Sequence, residues 1–107
     1  MAYDAGLAER VRDALPALGA AGAREKAMFG GRGFLIGKTT FVSVWGEGLL
    51  VKVPPAEYAA ALATPQVTAF APDGGRPMTT WVVVPADLVA DDPELAGWVG
   101  RGLRAVR

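Results

Sequence analysis

The fold of this chain is decided by the stretch Thr40-Phe41-Val42-Ser43-Val44-Trp45-Gly46-Glu47-Gly48-Leu49-Leu50-Val51-Lys52-Val53. Two runs rich in β-branched and aromatic residues flank a short turn with two glycines, which is typical of an antiparallel hairpin. Residues 24–36 precede this hairpin and predict one long strand that is interrupted at Gly30-Gly31. Glycines inside a strand favour a β-bulge, so we expect a bulge there and not a phosphate-binding loop, which would lead into a helix. These patterns predict an antiparallel meander of three strands.

Helices are predicted before and after this meander along the chain. Residues 4–15 place leucine and valine at helical spacing behind a capping aspartate, Asp4, and Pro16 ends that helix. Residues 56–63 predict a short second helix that begins after two prolines. Residues 91–107 predict a third helix, because they begin with capping and acidic residues and then repeat apolar positions every three or four residues.

Two further strands are predicted between the second and third helices. Residues 67–70 form a short strand, and the fully apolar run Trp81–Val84 reads as a central strand that is buried on both faces. The element order is therefore α-β(3)-α-β(2)-α. This order predicts an α+β two-layer sandwich, with helices on a five-stranded antiparallel sheet, in a single domain over residues 1–107.

The composition excludes several classes of active site. Among 107 residues there is no cysteine and no histidine, which removes disulfides, thiolate zinc sites and the commonest general base and metal ligand. Ser43 is the only serine, and no histidine is available to activate it. We therefore expect no catalytic residue, no metal site and no cofactor, and a protein that is not an enzyme.

Charge and hydropathy limit the partners. Lysine plus arginine equals aspartate plus glutamate, eleven of each, and a protein that binds nucleic acid by itself usually carries a basic excess. Autonomous binding of nucleic acid is therefore not expected. The chain starts without a signal-peptide pattern, and its longest uncharged stretch, residues 58–72, is too short and too broken to span a membrane. We expect a cytoplasmic, soluble protein.

A small set of residues is left as a candidate partner-binding surface. It comprises Gly30, Gly31, Arg32, Trp45, Arg76 and Met78. The segment Gly75-Arg76-Pro77-Met78 reads either as a structural turn with the methionine on the core or as a loop that presents its arginine to a partner. If Arg32 and Arg76 share an edge of the sheet, they form an anion-sized basic spot.

The remaining aromatic, basic and glycine residues have structural interpretations. Trp81 and Trp98 fall on inward-facing positions and are predicted to be core. Arginines recur every three residues at 101, 104 and 107, which favours a solvated stripe near the negative end of the helix dipole. Glycines at 97, 100 and 102 are costly in a helix, so we expect close packing there, against the sheet or against a second subunit.

Four motifs in order resemble a known family. They are Met28-Phe29-Gly30-Gly31, the run Trp45 to Val53, Gly75-Arg76-Pro77-Met78 ahead of Trp81-Val82-Val83-Val84, and Leu95-Ala96-Gly97-Trp98-Val99. Together they resemble the TfoX/Sxy N-terminal domain. The resemblance implies a two-layer fold similar to secretion chaperones, and it supplies no catalytic residues. Full-length competence regulators carry a second, C-terminal helical domain, which we expect this protein to lack.

The expected function is therefore a regulatory protein-interaction domain whose partner is unknown, with a homodimer as the expected oligomeric form. An exposed sheet edge and the glycine-rich helix are the expected dimer surfaces. Two alternatives stay open: a nucleic-acid-associated transcription accessory factor that uses the arginines, and a small-ligand-binding domain or unrecognised enzyme. A salt series distinguishes the first, and a concave apolar pocket with convergent polar groups distinguishes the second.

Overall fold

The computed structural model describes residues 3–72 and 74–107, in which three helices cover one face of a six-stranded antiparallel sheet. The helices are α1 (Ala5–Ala14), α2 (Tyr58–Ala63) and α3 (Asp92–Val106), and the strands are β1 (Arg24–Met28), β2 (Gly31–Ile36), β3 (Thr39–Trp45), β4 (Gly48–Lys52), β5 (Thr68–Ala69) and β6 (Trp81–Val84). Along the sheet the strands lie in the order β1-β2-β3-β4-β6-β5. The predicted α+β two-layer architecture is confirmed.

The predicted number of strands is wrong by one, because residues 24–36 form a hairpin and not one interrupted strand. Phe29 and Gly30 have φ angles of 52° and 79°, the pair of positive values that turns a chain tightly between antiparallel strands. Gly30-Gly31 is therefore not a bulge. A bulge lies instead between β2 and β3, where Phe34 faces Val42 and Leu35 faces Thr40, so that Phe41 is the extra residue.

The main core lies between the helices and the sheet. Its members include Phe34, Val42 and Val51 from the strands, and Val11 and Val99 from α1 and α3. Trp98 is also in this core and is only 8% exposed, as predicted. The core positions alternate along β4 and β6, because successive side chains of a strand point to opposite faces, whereas in β3 the bulge places the consecutive residues Phe41 and Val42 in this core.

A second, smaller cluster lies on the opposite face of the sheet. Leu50, Phe70 and Trp81 are its buried members, and Met28, Met78 and Val83 pack against them. Phe70 and Met78 belong to the segment between β5 and β6, which folds over this face and is held there by the Met78 N–H that donates to the Phe70 carbonyl at 2.7 Å. Both faces of the central strands are thus covered, and the prediction of β6 as a buried strand is confirmed.

Most predicted element boundaries agree with the structure. Asp4 caps α1 by accepting from the Leu7 N–H at 3.1 Å, and a 3₁₀ turn over residues 16–18 follows that helix. Asp91 occupies the cap position of α3, but its side chain accepts no hydrogen bond from the helix. The strand predicted over residues 67–70 is shorter, and α2 starts two residues later than predicted because a 3₁₀ turn, Pro55–Glu57, precedes it.

Close approach of α3 to the sheet depends on one of its three central glycines. A Cβ built on Gly102 meets the Phe41 carbonyl oxygen at 2.5 Å, whereas a Cβ on Gly97 or Gly100 meets nothing within 4 Å. Packing against the sheet therefore explains Gly102 alone. In the described part of the chain, no helix combines the length and the apolarity needed to cross a membrane.

Candidate functional site

The hairpin turn between β1 and β2 presents an aromatic side chain to solvent. Phe29 is 46% exposed and sits at the first turn position with a left-handed backbone, which is a true outlier for a bulky residue. Asparagine or aspartate usually occupies this position, since both tolerate that backbone. A phenylalanine with this strained backbone lowers the stability of the fold, and strained residues of this kind are concentrated at functional sites.

Two other aromatic rings hold this turn in place. The Trp45 indole N–H donates to the Phe29 carbonyl at 3.1 Å. Phe70 lies between the two exposed rings, with centroids 5.3 Å from Phe29 and 5.5 Å from Trp45, and both pairs meet edge to face. This geometry is the favoured one for aromatic pairs. Phe29, Trp45 and Phe70 are called the aromatic patch below.

The aromatic patch stands on the smaller hydrophobic cluster. Phe70 is only 2% exposed, whereas Trp45 is 37% exposed. These are the two kinds of position found in an interface anchor: a buried ring that is fixed by packing, and exposed rings that are ready for contact. Phe29 and Trp45 are the exposed large hydrophobic residues of the described chain. They are adjacent to one another, and a contiguous apolar patch of this kind is more typical of an interaction site than single apolar residues scattered over the surface.

The six predicted surface residues do not form one site. Trp45 belongs to the aromatic patch, and Met78 packs against the cluster beneath it. Gly30 shapes the turn, and Gly31 is buried in β2, where a Cβ would clash with the Val44 carbonyl. Arg76 is exposed in the segment between β5 and β6.

Arg32 lies away from this group, on the helix-facing side of the sheet. It pairs across the strands with Val44, a residue of the main core, and its Nε donates to the Glu25 carboxylate at 3.1 Å. The segment that carries Arg76 folds over the opposite face. The structure therefore does not bring Arg32 and Arg76 together, and the basic spot inferred for that pair has no geometric support.

Arg32 is instead part of a small ion network. Arg12 of α1 donates to both Glu25 carboxylate oxygens, at 2.6 and 2.8 Å, which is the bidentate geometry of the strongest ion pairs. The hydrogen bond from Arg12 lowers the pKa of Glu25, although partial burial opposes it, and the bond from Arg32 adds to the lowering. The same hydrogen bond raises the pKa of Arg12. This network fastens α1 to the edge of the sheet.

The arginines at 101, 104 and 107, on α3 and at its C-cap, also contact the protein itself. The Arg101 guanidinium lies 4.4 Å from the Trp98 ring centroid, and Arg104 donates to Glu57 at 2.9 Å. Arg107 donates to the Gly19 carbonyl at 2.7 Å. Each of these side chains already has a partner, so the stripe is a weak candidate for contacts to nucleic acid.

Small-molecule sites are modest in the described residues. The cleft between α1 and α3 has a volume of about 310 Å³, at the lower limit for ligand pockets. Its polar walls are occupied, because Arg10 and Asp92 form an ion pair at 2.9 Å there. Ser43 is fully buried, and its Oγ has no hydrogen-bond partner among residues 3–72 and 74–107. Within those residues no group of acidic side chains is arranged to hold a metal ion.

Sequence reasoning missed two of the three residues of the aromatic patch. Phe29 carried a signal, since a large apolar residue directly before two glycines is exposed if the glycines form a hairpin turn and not a bulge. Phe70 carried none, because it lies 25 residues from Trp45 along the chain and meets it only through the path of the segment that follows β5.

Comparison with known protein families identifies a match over most of the chain. The chain matches the family described as the TfoX N-terminal domain over residues 14–106, which includes the whole sheet, α2 and α3. A comparison with curated proteins finds no match to the chain.

Proposed function

Because this chain belongs to the TfoX N-terminal domain family, we propose that it is a non-enzymatic interaction domain that acts in regulation by binding another protein. The resemblance to competence regulators of the TfoX/Sxy type supplies the regulatory part of this proposal. A cytoplasmic location is part of it too, and the lack of cysteine suits that compartment.

The observation that carries the proposal is the aromatic patch. Phe29 and Trp45 are exposed side by side and fixed by Phe70 and by the hydrogen bond from the indole. Rigid aromatic side chains lose little conformational entropy on binding, and tryptophan is among the residues that contribute most to protein interfaces. A catalytic role has less support, because histidine and cysteine are absent and Ser43 is buried within the sheet.

Self-association is a second part of the proposal. Gly97 and Gly100 lie on α3 with open space above them, and small residues of this kind let another helix approach closely. A homodimer through α3 leaves the aromatic patch free, because the patch is on the other face of the sheet. Light scattering over a concentration series tests it, and a constant monomer mass would exclude it.

Co-purification from the native host tests the interaction itself. We expect the wild-type chain to retain a specific partner, identified by mass spectrometry, and the double variant Phe29→Gly, Trp45→Ala to lose it. The exposed turn residue Glu47, on the helix side, provides the control Glu47→Ala, which should keep the partner. If the double variant folds and retains every partner of the wild type, the patch is not the binding surface and the proposal is wrong.

A further inference from the structure

The zero net charge conceals an uneven distribution of charge over the two faces of the sheet. Four of the eleven cationic side chains form ion pairs, namely Arg10, Arg12, Arg32 and Arg104. The other seven form none with any residue in 3–72 or 74–107. Two of these seven are Arg101 of α3 and Arg107, which directly follows that helix. The remaining five are Arg24, Lys26, Lys38, Lys52 and Arg76.

These five cations belong to the face that carries the aromatic patch. Lys26 pairs with Gly33, which pairs with Ser43 and, through it, with Leu50 of the smaller cluster, so all four point to that face. Lys52 lies on the same face of β4, with its Nζ 6.0 Å from the Trp81 ring centroid. Arg76 precedes Met78 in the segment that covers the cluster.

Arg24 and Lys38 extend the basic surface toward the outer edge of the sheet. They line a shallow cleft of about 290 Å³ with Lys26 and Leu35. Glu25 also contributes to its wall, but its carboxylate is bound by Arg12 and Arg32. Arg24 donates to the Gly37 carbonyl, which fixes its position and leaves its charge uncompensated.

Every acidic residue that the structure describes belongs to the helix side. The chain has eleven, and all but Asp73 lie in the described part. Six occupy α1, α3 or their caps, and one lies in the 3₁₀ turn packed against α3. The other three are Glu25 and Glu57, which are paired with arginines, and Glu47, which lines a cleft beside α1. Among the described residues, the face that carries the patch therefore has five cations without an ion-pair partner, and the acidic side chains are assigned to the helix side.

From this segregation we infer that the aromatic patch and its five cations bind an acidic polypeptide segment that carries apolar side chains among its carboxylates. The inference rests on the proposed function and specifies the chemistry of the partner. Apolar side chains of the segment pack on Phe29 and Trp45, while its carboxylates face the lysines and arginines. Complementary charge of this kind speeds encounter and rejects basic partners.

An acidic peptide suits this surface better than a nucleic acid does. Arginine makes its strongest contacts to a nucleic-acid backbone by donating two parallel hydrogen bonds to a phosphate. Four of the chain's arginines are not free for such contacts, because they form internal ion pairs. Three of the five cations on the face that carries the aromatic patch are lysines. The helix side carries an excess of carboxylates, which repels a long polyanion that extends beyond the patch.

The test uses the full chain labelled with ¹⁵N and three probes of equal length. The first is a peptide in which glutamate alternates with leucine and phenylalanine, the second replaces every glutamate by lysine, and the third is an oligothymidylate. The indole N–H of Trp45, which is bonded to Phe29, reports on the patch directly. The variant Lys26→Glu, Arg76→Glu reverses two cations of the patch face. The control Arg101→Glu, Arg107→Glu makes the same charge change on α3.

We expect the acidic peptide to shift the Trp45 indole signal and the signals of residues 24–29 and 74–80. Its affinity should fall about tenfold or more between roughly 0.05 and 0.5 M salt, because the contacts are exposed charge pairs. The patch-face variant should lose about tenfold in affinity, and the α3 control should stay within about twofold. Thermal unfolding of both variants establishes that each is folded.

Several results would overturn the inference. The first three are failure of the acidic peptide to bind at all, binding of the lysine peptide as tight as that of the acidic one, and binding of the oligothymidylate tighter than that of either peptide. The fourth such result is an equal loss of affinity for the acidic peptide in the patch-face variant and in the α3 control. The proposed function is judged separately by the Phe29 and Trp45 variants in co-purification. A partner that is lost with those variants but is insensitive to salt and to charge reversal would refute the acidic segment and leave the interaction domain intact.

Discussion

Replacing Gly102 by alanine tests how closely α3 packs on the sheet. The added Cβ would lie 2.5 Å from the Phe41 carbonyl oxygen, 3.2 Å from its carbonyl carbon and 3.3 Å from the ring. Ordinary contact begins near 3.4 Å, so helix and strand must separate by about 0.9 Å, the difference between 3.4 and 2.5 Å. Phe41 is a buried residue of the central strand β3, so its backbone has little freedom to move.

The expected loss of stability follows from two opposing effects. Forcing a methyl group into a well-packed region costs about 1–3 kcal/mol, and a backbone obstacle in a central strand favours the upper end. Alanine recovers about 1 kcal/mol through its higher helix propensity. The net prediction for Gly102→Ala is a loss of about 2 kcal/mol, which corresponds to a fall in Tm of roughly 8–16 °C for a domain of this size.

The same helix supplies matched controls. Gly97 and Gly100 are helical glycines with open space around the added Cβ, so alanine there should raise the unfolding free energy of the monomer by about 1 kcal/mol each. Urea titrations followed by circular dichroism measure all three variants. If Gly102→Ala is as stable as the wild type, or if Gly97→Ala and Gly100→Ala are destabilised equally with it, the account of helix packing is wrong.

Three further predictions concern the turn, the ion network and the indole hydrogen bond. Phe29→Gly should be more stable than Phe29→Ala by about 1 kcal/mol, because glycine adopts the left-handed backbone freely; equal Tm values would contradict the strain. The pKa of Glu25 is lowered in the folded protein from its ordinary value of 4.5, so its pairing stabilises the protein fully above that value and is lost as the pH falls through the lowered pKa. Glu25→Gln should therefore lower the free energy of unfolding by less than about 1 kcal/mol near neutral pH, since the pair is partly exposed. Below pH 4.5 the free energy of unfolding should fall less in this variant than in the wild type. A urea midpoint that is unchanged from the wild type at both pH values would contradict this. The Trp45 indole proton should exchange more slowly than a free indole, because it is bonded to the backbone carbonyl of Phe29, and hydrogen-exchange NMR measures its rate; exchange at the rate of a free indole would show that this bond does not protect it.

Much of the fold was predictable because local signals determine it. Asp4 and Pro16 bound the first helix, the apolar run of β6 is central, and Trp81 and Trp98 are core, all as predicted. The one wrong element, the strand over residues 24–36, depended on choosing between two uses of glycine. A bulge and a hairpin turn are both compatible with Gly30-Gly31, and only the partner strand decides between them.

The candidate site was predictable only in part. Trp45 lies in the aromatic patch and Met78 packs against the cluster beneath it, whereas Arg32 lies on the other face and pairs with Glu25. The face on which a strand residue lies depends on pairing register, and the bulge at Phe41 shifts that register between neighbouring strands. The extra residue breaks the alternation of faces in β3, since Phe41 and Val42 are consecutive members of the main core, and an apolar run does not reveal where such a break falls.

The absence of histidine and cysteine and the equal numbers of acidic and basic residues belong to the sequence by itself, as does the order of the elements outside residues 24–36, because these are sums and local patterns. Only the tertiary structure decides that Phe29, Trp45 and Phe70 meet, that Gly102 and not Gly97 or Gly100 touches the sheet, and that unpaired cations collect on the patch face. Each of these depends on strand register and on the path of the chain over the sheet. The physical reason is that packing and electrostatic interactions depend on distances in space, whereas composition does not specify the face of the sheet on which a residue lies.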